Sequence, residues 1–131
     1  LSILLESLQH AGIGGKRKSG YGKFSFEMYE DEDIEDLFKE KGEFNILLST
    51  AMVNKNEDLE SVLKEAQYLL KKRSGFVQSQ NYSNQLVKKK DFYSFTAGSV
   101  FSTPFKGGIF DVSNQGNHPV YRYAKAFWLE V

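Results

Sequence analysis

The 131-residue sequence contains no cysteine, only two prolines and only two histidines. Without cysteine the chain can form neither a disulfide nor a thiolate metal site, and this composition fits an intracellular protein. No apolar run approaches the roughly 20 residues that a membrane-spanning helix requires, and no secretory signal is recognisable. We therefore expect a cytoplasmic protein with no membrane segment, no metal site and no other cofactor.

The net charge is zero, but the charges are unevenly distributed. Nine acidic residues and two lysines lie between Glu27 and Glu43, so this segment has a net charge of −7. The remainder of the chain holds fifteen bases and eight acids and has a net charge of +7. A basic body suits a partner that carries phosphates.

The acidic segment, at about residues 29–43, is interpreted as an insert in this basic body. Its large apolar residues in the central part, Ile34, Leu37 and Phe38, have the spacing of a short amphipathic helix. The insert is either a solvated surface excursion or an element that docks onto a protein or masks charge.

Glycine and positive charge are concentrated between Gly12 and Lys23, where five glycines and four cations occur in twelve residues. Glycine permits a close backbone approach and a positive φ, and successive N–H groups in such a turn form a concave site for anions. The cations and the ring of Tyr21 suit phosphates and stackable bases, so this loop predicts binding of RNA or single-stranded nucleic acid. The alternative is a mobile, solvated basic loop. The candidate residues are Gly14, Gly15, Lys16, Arg17, Lys18, Ser19, Gly20, Tyr21 and Lys23.

The loop fits neither of the common nucleotide-binding motifs. A P-loop requires G-x-x-x-x-G-K-[ST], whereas Arg17 follows the Gly-Lys pair here. A Rossmann motif requires a preceding strand, whereas the leucines before the loop have helical spacing and Gly12 stands where a C-cap glycine belongs. Alternating residues from Phe24 to Met28 predict a strand after the loop. The predicted order is therefore helix, loop and strand.

The rest of the chain is predicted to be α+β. A helix is expected after Asn56, with one face formed by Leu59, Val62, Leu63 and Ala66. Residues 67–73 could either extend this helix or begin a strand. Further strands are expected at residues 44–50, 93–101 and 120–131, with a polar loop at 78–84 and a turn-rich connection at 105–116.

Two arginines and two histidines are the remaining candidates for chemistry. Arg73 belongs to a basic triplet, and Arg122 lies between two tyrosines on a predicted strand, so both are assigned to RNA binding. His10 and His118 could in principle act as general acid or base in RNA cleavage. Neither has a paired base or a Ser-His-Asp arrangement in the sequence, so both are interpreted as structural or surface residues.

The glycine loop, GIGGKRKSGYGKF, resembles the loop of the RAMP proteins of CRISPR systems. More narrowly, it resembles the fourth subunit of the type III-A Csm effector complex. Three further stretches carry the same resemblance: RSGFV at 73–77, YSFTAGSVF at 93–101 and HPVYRYAKAF at 118–127.

The resemblance implies that residues 1–131 form a single C-terminal domain, half of a longer protein built from two ferredoxin-like units. The expected fold is α+β and ferredoxin-like (RRM-like), with a four- or five-stranded antiparallel sheet and two helices on one face. Such a unit opens with a strand, so the first strand is expected upstream of the helix that starts the chain. The resemblance also favours a strand at residues 67–73.

The function implied is that of a non-catalytic RNA-binding subunit. It would hold the 5′ repeat-derived tag of the guide crRNA, bridge it to the large polymerase-like Csm subunit and contact the neighbouring backbone RAMP subunit. A RAMP endoribonuclease that processes repeat RNA through His10 or His118 is the alternative. A module that docks only onto proteins is a third possibility.

Overall fold

The computed structural model describes residues 1–77, 79 and 81–131, so the predicted loop at 78–84 lies partly outside the described residues. The chain divides into two compact units, Leu1–Asp33 and Ile34–Val131. The prediction that residues 1–131 make a single domain stays a prediction. The described residues contain both helices and strands, with most strands following the last helix, and their strand pairings are antiparallel, so the α+β prediction is confirmed.

The first unit begins with the predicted helix, α1 (Ser2–Ala11). It ends where the sequence indicated, because the N–H of Gly12 donates to the Leu8 carbonyl and Gly12 has a φ of 76°. The strand predicted from Phe24 to Met28 is wrong: within the described chain this stretch has no strand partner. Phe24 and Phe26 are nevertheless half-buried and Ser25 is exposed, so the alternation follows the burial of the side chains but does not mark a paired strand.

The second unit carries the sheets. One sheet has three strands, β1 (Asn45–Leu47) between β6 (Val100–Phe101) and β9 (Trp128–Glu130). Three two-stranded ladders accompany it. They are β2 (Leu70–Arg73) with β5 (Phe92–Phe95), β3 (Phe76–Val77) with β4 (Val87–Lys88), and β7 (Gly107–Asp111) with β8 (Tyr121–Lys125).

The residues that follow β1 contact two of these ladders through their backbone. Ala51 bridges to Phe95 on one side, and the N–H of Met52 donates to the Ala124 carbonyl at 3.2 Å on the other. The segment from β1 to Met52 therefore lies between the β5–β6 segment and the β8–β9 segment. The expected single sheet is thus broken into shorter strands that keep an antiparallel order.

The breaks have local causes. Residues 93–101 were expected as one strand, but a turn at Gly98, which has a φ of 87°, separates β5 from β6. The turn-rich connection expected at 105–116 contains β7, so that prediction is wrong. The carboxylate of Glu57 accepts hydrogen bonds from the N–H groups of Asn54, Lys106 and Gly107 and so holds the start of β7. Burial of Glu57 opposes ionisation, but these three hydrogen bonds outweigh it and lower the pKa of its carboxyl.

Of the two helices predicted outside the acidic insert, the first is α1 of the first unit and the second lies in the second unit. The predicted helix forms as α3 (Leu59–Leu63), capped by the Asp58 side chain, which accepts from the Glu60 N–H. It is shorter than expected because Glu65 adopts a left-handed φ of 58°. The strand at 67–73 favoured by the resemblance is confirmed as β2.

The core of this unit is aromatic. Phe101 is fully buried, and its ring centroid lies 5.1 Å from that of Phe95, 5.4 Å from Phe105 and 5.5 Å from Trp128. The indole N–H of Trp128 donates to the Phe105 carbonyl at 2.8 Å. The buried and packed residues are Leu47, Ala51, Val53, Val62, Phe95, Phe101 and Phe105.

The acidic insert contains the expected short helix, α2 (Glu32–Lys39). The ring of Phe38 stacks on Phe127 with a centroid distance of 5.4 Å. Just after the helix, Lys41 pairs with Glu130 at 3.0 Å, and Phe44 exchanges two backbone hydrogen bonds with Val131. The second half of the insert is therefore attached to the last strand.

Candidate nucleic-acid interface

The glycine loop is closed at its base by its own backbone. The N–H of Ile13 donates to the Gly22 carbonyl at 2.9 Å. Gly12 and Gly22 both have left-handed backbones, with φ of 76° and 81°. A side chain at Gly22 would meet the Ile13 backbone, so only glycine fits where the two ends of the loop come together.

The tip of the loop is a turn of 3₁₀ helix at Arg17–Ser19. The N–H of Ser19 donates to Lys16 and that of Gly20 to Arg17, both at 3.0 Å. These two N–H groups are used within the loop and are not available to a ligand. Gly20 adopts a φ of 82°, with open space where a side chain would stand. The backbone at the tip is therefore turned sharply and left uncovered.

The charged side chains of the loop face solvent. Lys16, Arg17, Lys18 and Lys23 are exposed, and none of the ion pairs found within the described chain involves them. Tyr21 leaves 67% of its surface exposed. The loop thus exposes four cations and one aromatic ring, and their role in RNA binding stays a prediction.

The structure brings the two predicted arginines together. Arg73 comes from β2 and Arg122 from β8, and both line a cavity of about 290 Å³. Sequence reasoning missed Thr50 and Ser94, which complete its polar lining. Only the strand register could have found them: Arg73 pairs with Phe92 in the β2–β5 ladder, which places Ser94 two residues further along the same face.

Two other basic residues are less available to a ligand because they are paired with a carboxylate. Asp91 holds Lys72 at 2.6 Å and Lys88 at 3.2 Å. These hydrogen bonds lower the pKa of Asp91, and the bond to Asp91 raises the pKa of Lys72. Lys72, from the basic triplet that contains Arg73, and Lys88 are therefore engaged in a local network of charges.

His118 has a packing role. Its ring lies edge-on to that of Tyr82, with centroids 5.0 Å apart, and its Nδ1 lies 2.9 Å from the Pro119 carbonyl. Tyr82 is itself buried and accepts a hydrogen bond from the Asn114 N–H at 2.6 Å. His10 is exposed at the end of α1. Within the described residues, no group of three or more potential ligands could hold a metal ion, and no helix is long and apolar enough to cross a membrane.

Comparison with known proteins identifies the family of this chain. The family described as the CRISPR Csm4 C-terminal domain matches residues 40–131. This chain belongs to the Csm4 family. The resemblance of this chain to the fourth subunit of the type III-A Csm complex is thereby confirmed, and the match is to the C-terminal part of Csm4.

Curated Csm4 proteins agree with this assignment. A "CRISPR system Cms protein Csm4" from Mycobacterium tuberculosis is 44% identical over 129 residues, covering 98% of this chain and 41% of that protein. A protein of the same name from Streptococcus thermophilus is 35% identical over 133 residues, covering 100% of this chain and 44% of that protein. The chain thus spans less than half the length of these Csm4 relatives.

Proposed function

We propose that this chain is a non-catalytic RNA-binding part of a type III-A Csm effector complex in antiviral defence. It holds the 5′ repeat-derived tag of the guide crRNA in the cytoplasm. The observation that carries the proposal is the exposed glycine loop, which is closed at its base and presents four cations without ion pairs in the described chain. Membership of the Csm4 family supplies the context.

The loop chemistry favours a single-stranded RNA end over a duplex. Lys16, Arg17 and Lys18 follow one another on a tight turn and can reach successive phosphates of a flexible strand. The exposed ring of Tyr21 offers a surface on which one base stacks. Such a platform positions RNA without performing a reaction on it.

We also infer a ferredoxin-like RAMP fold for the second unit. A ferredoxin-like unit follows the order β-α-β-β-α-β. After α2, this unit has β1, α3 and β2, then the β3–β4 ladder and the β5–β6 segment, and it ends with the β8–β9 segment beside β1. The β7 strand takes the place of the second helix. In this assignment β1 is the first strand of the ferredoxin-like unit, whereas the sequence-based prediction placed the first strand before α1.

The proposed partners are the large polymerase-like Csm subunit and the neighbouring backbone RAMP subunit. The acidic helix α2 offers a surface of opposite sign to the basic body, and Ile34, Leu37 and Phe38 keep part of their surface exposed. A helix of this composition suits a protein contact better than an RNA contact.

The proposal predicts that the complete protein, assembled in its complex, binds repeat-containing RNA and leaves it intact. Proton transfer by a positioned side chain typically contributes about 100- to 10,000-fold to a rate, so its loss is easily seen on a cleavage gel. The measurement compares the wild type with His10→Ala and His118→Ala variants, with and without divalent metal. Specific cleavage of the repeat that disappears in either variant would establish the processing enzyme instead.

A further inference from the structure

The cavity shared by Arg73 and Arg122 has the chemistry of an anion site. It measures about 290 Å³ and is lined by Thr50, Arg73, Phe92, Ser94, Arg122 and Tyr123. We propose that it binds one phosphodiester group of a single-stranded RNA. The inference rests on the proposed RNA-binding function, but it concerns a different place in the chain from the glycine loop.

Three neighbouring segments of the second unit build the cavity. Arg73 and Ser94 come from the paired strands β2 and β5, Thr50 precedes the bridge from Ala51 to β5, and Arg122 comes from β8. The ligand groups are therefore held by paired backbone rather than by a loop. This placement fixes the cavity before any ligand arrives.

Two of the residues that line the cavity each carry a buried polar atom without a hydrogen-bond partner in the described part of the chain. The Ser94 side chain is fully buried, and its Oγ forms no hydrogen bond within the described residues. The Nε of Arg122 is also buried without a partner there. Leaving such groups unpaired is unfavourable, and buried polar groups in folded proteins are nearly always satisfied. The oxygens of a bound phosphate would accept from both.

The charge of the cavity points to the same ligand. No carboxylate lines it, and in the described part of the chain neither Arg73 nor Arg122 takes part in an ion pair. Two guanidinium groups that share a partly enclosed space repel each other until an anion lies with them. Their planar forks match the oxygens of a phosphate.

The remaining lining favours a nucleotide phosphate over free phosphate. Phe92 and Tyr123 are aromatic, and such rings receive the sugar or base attached to a bound phosphate. Phe92 already packs on Phe110, with ring centroids 5.1 Å apart. Tyr123 is 67% exposed, and inorganic phosphate would leave its ring uncovered.

The test uses the complete protein and a single-stranded RNA oligonucleotide with the sequence of the 5′ repeat. For the Arg73→Gln/Arg122→Gln variant, losing one phosphate contact should flatten the slope of log affinity against log salt by about 0.7 and weaken binding about fivefold at 0.1 M salt. The matched control is Lys72→Gln/Lys125→Gln. It removes the same charge from the same strands at positions that do not line the cavity, so we expect affinity within twofold of the wild type.

A second variant, Ser94→Ala, separates ligand binding from folding. Removing an unpaired buried hydroxyl should raise the unfolding midpoint of the free protein by about 2–4 °C. The same change should weaken RNA binding about fivefold without altering the salt slope, since no charge is lost. A purely structural serine would instead lower the midpoint and leave RNA affinity unchanged, which would count against the site.

The outcomes are distinguishable. Unchanged affinity and slope in the double-arginine variant, with weak binding by a variant of the glycine loop, would overturn the cavity site and leave RNA binding standing. No RNA binding by the wild type would overturn both proposals. Displacement of the oligonucleotide by inorganic phosphate, but not by chloride at equal ionic strength, would identify a free-phosphate site and overturn the RNA assignment.

Discussion

Replacing Lys16, Arg17 and Lys18 together by alanine is expected to weaken guide RNA binding about 100-fold at 0.1 M salt. Each phosphate neutralised on a single strand contributes about 0.7 to the slope of log affinity against log salt, so three lost contacts flatten the slope by about two. Because phosphate contacts carry no sequence information, the loss should be similar for repeat and unrelated RNA. Affinities measured for the complete protein from 0.05 to about 0.5 M salt test both effects.

A triple variant of Lys55, Lys64 and Lys106 is the control. All three lysines are exposed and lie outside the glycine loop, so their replacement by alanine removes the same charge from another surface. We expect less than a fivefold change in affinity for this control. Equal losses of affinity in the two triple variants would mean that the loop contributes to RNA binding only through the net charge of the protein. No loss in either would identify the loop as a solvated segment.

Phe101→Ala is expected to destabilise the second unit by about 3–5 kcal/mol, the range for truncating a buried aromatic residue. Phe101 is 0% exposed. Its ring contacts four other aromatic rings, those of Tyr68, Phe95, Phe105 and Trp128, so the cavity left behind would lie at the centre of the core. Since folded domains are stable by only about 5–15 kcal/mol, this loss is a large share of the total. Urea unfolding of the complete protein, followed by Trp128 fluorescence, measures it.

Ile109→Ala on β7 provides the comparison. Ile109 is 58% exposed, so its truncation should change the free energy of unfolding by less than about 0.5 kcal/mol. Similar urea midpoints for Phe101→Ala and the wild type would contradict the aromatic core described above.

Sequence patterns predicted those elements that depend on local spacing. The leucine spacing and Gly12 placed α1 and its end, because both follow from one turn of helix and its cap. Ile34, Leu37 and Phe38 likewise indicated α2. The glycine loop could be recognised because its glycines serve the local backbone, with left-handed φ at Gly12 and Gly22.

Elements that depend on a distant partner were harder to predict. The alternation from Phe24 to Met28 predicted a strand, but such a pattern does not show whether another strand lies beside it, and none does in the described chain. The β7 strand forms because Tyr121–Lys125 lies alongside it and Glu57 binds its first N–H groups. Neither partner is visible in the glycine-rich sequence from Lys106 to Gly108.

The candidate sites show the same distinction between features set by neighbouring residues and features set by distant ones. The cations of the glycine loop are adjacent in sequence and could be assigned directly. Arg73 and Arg122 were suspected separately, but only the sheet brings them to one cavity with Thr50 and Ser94. A buried serine in a strand has no sequence signature, so its role depends on the register and on its unpaired hydroxyl.

Photo-crosslinking within the assembled Csm complex tests most directly whether the glycine loop holds the 5′ tag of the guide RNA. A guide RNA carrying 4-thiouridine in its 5′ tag would be irradiated, and the crosslinked peptides identified by mass spectrometry. If the loop holds the tag, a crosslink is expected in residues 12–23, with Tyr21 as the favoured position because its ring is exposed at the loop. Crosslinks from the tag to other subunits, with none in residues 12–23, would contradict it.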